Sequence, residues 1–81
     1  MANVKIDENP ALIIESGNYT YLCYPDFGVP LSAEGEAMEK WAVKRIDESV
    51  SGKIVITWAG GTTSKVHPVN NVSGLTFKYL L

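Results

Sequence analysis

Cys23 and His67 are the one pair in this chain whose types could supply a nucleophile and its base, since each residue type occurs once. Thiolate chemistry needs a lowered thiol pKa and a base within reach. Cys23 stands in the middle of the aromatic run Tyr19-Thr-Tyr-Leu-Cys-Tyr24, where an inert, buried thiol is expected. His67 precedes Pro68, which biases it to extended or turn backbone, and it reads as a surface-loop histidine. For acid and base work the chain offers Asp26, Asp47, Glu48 and the group Glu34, Glu36 and Glu39. All fall in expected loops or turns with no apolar pocket to raise a pKa, so solvated carboxylates are expected. Ala59-Gly60-Gly61-Thr62-Thr63-Ser64-Lys65 has the composition of a phosphate cradle but not its order, which requires Lys before Ser or Thr at the opening of a helix. A glycine turn after a strand accounts for it. One Cys and one His cannot supply a four-ligand zinc site, and a lone Cys excludes an internal disulfide. No catalytic residue, no metal and no cofactor is expected.

The elements that would carry these side chains are short. Turn signals recur at Asn9-Pro10, Ser16-Gly17-Asn18, Pro25-Asp26, Gly28, Pro30, Ser51-Gly52, Gly60-Gly61, Pro68, Asn70-Asn71 and Ser73-Gly74. Runs rich in branched and aromatic residues lie between them, the pattern of an all-β chain. Strands are expected at Ala11 to Glu15, Tyr19 to Tyr24, Lys40 to Ile46, Ile54 to Ala59 and Leu75 to Leu81, with weaker extended pieces at Val4 to Ile6 and Lys65 to Val66. Ser32 to Lys40 has helical composition with Ser32 placed to cap it, but Gly35 limits it to a turn or two. The fold class expected is all-β: a small barrel or sandwich of about five short antiparallel strands with a central hairpin and at most one short helical turn. Residues 1–9 read as an N-terminal arm and residues 10–81 as a single β domain.

Trp41 and Trp58 lie one on each arm of the central hairpin and are expected to anchor the core together. On the second arm, period-two alternation puts Ile54, Ile56 and Trp58 on one face and Val55 and Thr57 on the other. On the last strand Leu75, Phe77, Tyr79 and Leu81 share a face, and the two stripes could close a core between them. Tyr19 to Tyr24 is apolar or aromatic on both faces. A sheet this small cannot hide both, so loops or another subunit must cover the second.

Eighty-one residues bury only about 60–65% of the surface of the unfolded chain, so a partner subunit is a natural source of extra stability. Seven Lys and Arg against nine Asp and Glu give a net charge of −2, which offers no general attraction to nucleic acid. The start of the chain lacks the basic and apolar regions of a secretory signal, and no run approaches the ~20 apolar residues of a membrane span. A soluble protein made in the cytosol is expected, with no membrane partner.

Several short motifs stand in a fixed order: Tyr19-Thr20-Tyr21, Phe27-Gly28-Val29-Pro30, Trp41 with Lys44-Arg45-Ile46, Ile56-Thr57-Trp58-Ala59 with Gly61, and Leu75 with Tyr79. In this order and spacing, which spans about residues 19 to 79, the chain resembles a group of small β-rich structural proteins and modules of tailed bacteriophages. It departs from them at Gly60, where that group usually has an acidic residue, and across Val66 to Ser73, which lacks a further Trp and Arg. The resemblance implies a structural role, a virion location after assembly in the host cytoplasm, and capsid, neck or tail proteins as partners, with homo-oligomerisation expected.

Side chains expected at an interface are Tyr24, Phe27, Leu80 and Leu81, with Val4 and Ile6 of the arm, which could pair in trans with a sheet edge. A monomeric cellular module gripping a peptide through exposed aromatics is the alternative from a different class. A single-stranded nucleic-acid binder stacking bases on Tyr and Phe is disfavoured by charge, and an enzyme by the absence of a catalytic constellation.

Overall fold

The structure, a computed structural model, describes residues 9–80. Five strands form one antiparallel meander: β1 (Leu12–Ser16), β2 (Tyr19–Pro25), β3 (Trp41–Asp47), β4 (Val55–Ala59) and β5 (Phe77–Lys78), in the spatial order β1-β2-β3-β4-β5. Among the described residues the helical material is one turn, α1 (Ala33–Glu36), and a 3₁₀ turn over Val72–Gly74. The expected all-β class and five antiparallel strands are therefore found, gathered into a single sheet. The expected extended piece at Val4 to Ile6 lies outside the described residues.

One face of this sheet is the core. Cross-strand partners point the same way, so the pairs Leu12↔Cys23, Ile14↔Tyr21, Cys23↔Val43, Arg45↔Thr57 and Ala59↔Phe77 all lie on it. Tyr21, Cys23, Trp41, Val43 and Ala59 are buried there, with Leu12, Ile14, Tyr19 and Phe77 packed around them.

Among the described residues no second sheet covers that face; irregular backbone does. Gly60 and Gly61, both at φ 69°, turn the chain away from β4 in a conformation that L side chains rarely adopt. The following residues recross the sheet end, where His67 and Trp41 exchange backbone hydrogen bonds of 2.9 Å in both directions. This bridge, one residue beyond the expected Lys65 to Val66 piece, brings Val69 and Val72 down onto the core. The N–H groups of Val69 and Asn70 donate to the Glu36 carbonyl, at 2.8 and 3.1 Å, and so satisfy an orphan acceptor at the end of α1.

Turn α1 is held by Trp41. Ser32 caps it, its Oγ accepting from Gly35 N at 3.4 Å. The Trp41 indole Nε1–H donates to the Gly35 carbonyl at 2.9 Å, inside the core. Gly35 is buried, and a Cβ there would run into the Pro30 carbonyl oxygen. The glycine that shortens the helix is thus what lets the 30–36 segment sit against the tryptophan.

Two expectations are corrected. β4 is turned over: Thr57 and Ala59 face the core, while Ile56 and Trp58 face outward. Trp41 therefore anchors the core and Trp58 does not. The reason is register: Arg45 pairs with Thr57 and Lys44 with Trp58, so once Trp41 and Val43 point inward, Trp58 must point out. The last strand is also shorter than expected. Phe77 packs on the core, but Tyr79 is exposed beyond the strand end, so the Leu75, Phe77, Tyr79 stripe is not continuous.

Candidate interface on the outer face of the sheet

The outer face is built in rows by the same registers. One row reads Ile13, Leu22, Lys44, Trp58 and Lys78 across β1 to β5; the next reads Glu15, Thr20, Ile46 and Ile56; on the other side Tyr24 pairs with Ala42. Six of these side chains are large and apolar or aromatic. Ile13 is 55% and Ile56 50% exposed, and Leu22, Ile46 and Trp58 are only partly buried. Two-sided apolarity, visible in the sequence at β2, thus continues through β3 and β4.

At the centre of this face Tyr24 and Trp58 stack, their ring centroids 5.8 Å apart and planes at 29°. They stand on β2 and β4, with β3 between. The strand between them contributes Ala42, buried to 2% exposure, and a residue that small leaves room for the rings to close over it. Lys44 lies alongside, its Nζ 5.5 Å from the Trp58 centroid and 6.0 Å from that of Tyr24. An ammonium at the face of an indole is attracted by the ring quadrupole. The same arrangement presents a cation above an apolar floor.

The expected interface residues occupy separate parts of the molecule. Tyr24 is in the outer-face stack with 9% of its surface exposed. Phe27 is fully exposed on the loop after β2, where its N–H donates to the Asp26 carboxylate at 2.8 Å. Leu80 is half-exposed after β5. Val4, Ile6 and Leu81 lie outside the described residues. Ile13, Lys44, Ile56 and Trp58 were not anticipated there. For Ile56 and Trp58 the signal in the sequence is the Ile-x-Ile-x-Trp alternation of residues 54–58, which was assigned to the core side of the sheet.

The residues considered for chemistry are placed apart from this face. Cys23 is fully buried, and burial pushes its thiol up to about 12, with the Glu36 charge adding to the rise; a thiol so held is not a nucleophile near neutral pH. The His67 imidazole lies against Gly60, and its buried Nε2 has no hydrogen-bond partner. The Ser49 hydroxyl and then the Ser49 N–H, which donates at 2.9 Å, hold the Asp47 carboxyl below the ordinary range, with a smaller contribution from Arg45. Arg45 is on the core side, its guanidinium carbon 4.8 Å from the Tyr19 centroid and 4.7 Å from that of Phe77. It plugs the end of the core between two rings. Among the described residues no group of three or more His, Cys, Asp or Glu is arranged to hold a metal ion, and no helix is long and apolar enough to cross a membrane.

Fold and site together define a small all-β sheet protein with one face packed by its own loops and the other apolar and, among the described residues, uncovered. Compared with models of protein families, with curated proteins and with solved structures, the chain matches none.

Proposed function

We propose that this chain is a non-catalytic structural module of a tailed-phage virion, attached to a capsid, neck or tail protein through the outer face of its sheet. The observation that carries the attachment is that face: large apolar side chains, including the half-exposed Ile13 and Ile56, surround a preformed Tyr24–Trp58 stack. Exposed apolar patches of this kind on a soluble domain mark interaction surfaces, and aromatic anchors dominate binding energy where they are desolvated. The order of motifs from Tyr19 to Tyr79 is what supports a phage setting.

Mass spectrometry of purified tailed particles from a host that produces the chain tests this reading. The chain is expected at a fixed stoichiometry, and Ile56→Asp is expected to lower its incorporation at least fivefold while its near-UV circular dichroism stays unchanged. Absence of the wild-type chain from the particles, or full incorporation of Ile56→Asp, contradicts it.

A further inference from the structure

The outer face carries a charge pattern as well as an apolar one. Trp58 pairs with Lys44 on one side and with Lys78 on the other, so its indole lies between two lysines on neighbouring strands. The two Cα positions are separated by two strand spacings, about 10 Å. The only acidic side chain in the same rows is Glu15, on β1, at the opposite edge of the sheet from Lys78. This face is therefore locally cationic on a chain whose net charge is −2.

From this we infer that the occupant of the outer face is an apolar segment of a different protein bearing a carboxylate that lies over Trp58, between Lys44 and Lys78. A carboxylate there would be paired on both sides while its apolar neighbours cover Ile13, Ile46 and Ile56. A second copy of this chain does not suit the site. β3 is the middle strand, so two-fold packing of one outer face on another brings Lys44 toward Lys44 near the axis, and like charges brought together at an interface oppose association. The inference rests on the proposed attachment through this face and names the chemistry of its partner.

The test uses the full chain and two probes of matched chain length and opposite charge, 4-phenylbutyrate and 4-phenylbutylamine, followed by nitrogen-15 NMR. The Trp41 indole N–H, bonded to Gly35 inside the core, is the internal control, and the Trp58 indole N–H is the reporter. The carboxylate is expected to shift the signals of Trp58, Lys44 and Ile56 saturably and to leave Trp41 unmoved, with the amine binding at least about tenfold more weakly. Lys44→Glu with Lys78→Glu is expected to reverse that order, and Lys44→Met with Lys78→Met to abolish the preference. Equal binding of the two probes, no saturable shift at Trp58, or an unchanged order in the Glu variant overturns the inference. So does tighter binding of a short oligothymidylate at the same signals, which would make the face a nucleic-acid platform, or a doubling of mass with concentration that shifts Trp58, which would make the occupant a second copy. Nuclear Overhauser contacts from residues 1–8 to the Trp58 ring in the free full chain would assign the face to the protein's own N-terminal residues and overturn it as well. Probe preference is read on the isolated chain and incorporation on particles, so a carboxylate preference without incorporation removes the virion reading and leaves the site standing.

Discussion

Tyr24 and Trp58, from strands that are not neighbours, stack at 5.8 Å over the intervening strand. The contact exists because β3 presents Ala42 beneath them, and it converts two flexible aromatic side chains into one preformed surface. A double-mutant cycle with Tyr24→Leu and Trp58→Leu, read by urea unfolding, is expected to give a coupling energy of about 0.5–1.5 kcal/mol. Ala42→Leu is expected to remove most of that coupling by parting the rings.

The two tryptophans should behave differently. Trp41 is fully buried and hydrogen-bonded, whereas Trp58 is only partly buried on the open face. Trp41→Ala is expected to cost about 3–5 kcal/mol, enough to unfold a domain of this size, and Trp58→Ala less than about 2 kcal/mol. Chemical denaturation of both variants measures the difference, and equal losses would contradict the placement of β4.

Gly35 is fixed by contact and not by turn geometry. A methyl group there meets the Pro30 carbonyl, and the displaced segment would also release the Trp41 indole bond. Gly35→Ala is expected to destabilise by about 1–3 kcal/mol, although the same change in an isolated helix is favourable. Thermal and urea unfolding of this single variant decide the sign.

Cys23 gives the fold an alkaline limit. Its thiol is held up to about 12 in the folded chain against an ordinary value of 9.0. Between those values the unfolded chain has lost the proton and the folded chain keeps it, so stability is complete below about pH 9 and falls as pH rises toward 12, by at most about 1.4 kcal/mol per pH unit. Cys23→Ala is expected to flatten the dependence of unfolding free energy on pH over that range. In the wild type, a thiol reagent at pH 8 is expected to react only as fast as the core opens.

The sequence was informative about strands and silent about what covers them. Gly, Pro and Asn clusters bound each strand within a residue or two for β1 to β4, and Ser32 with Gly35 announced a single helical turn. The facing of β4 was not legible from β4 alone. Its larger apolar side chains, Ile56 and Trp58, are on the open side, while its smaller Thr57 and Ala59 are the ones buried on the core side. Only the pairing register with β3 decides it. Val69 and Val72 were equally hidden: they reach the core from irregular backbone, anchored by the His67 bridge to Trp41 and the bonds to Glu36, and irregular backbone has no period to read. The open face was foreshadowed by the two-sided strand at Tyr19 to Tyr24, but its lysines on either side of Trp58 required the sheet order.

The outer face is the proposed surface of attachment. Site-specific photo-cross-linking tests it most directly, with a benzophenone side chain placed at Ile56 on the open face or at Ser73, an exposed position on the 3₁₀ turn that covers the core. Irradiation of assembled particles is expected to join the chain to another virion protein from position 56 and not from position 73. Cross-links from position 73 alone, or none from position 56 in particles that contain the chain, would contradict it.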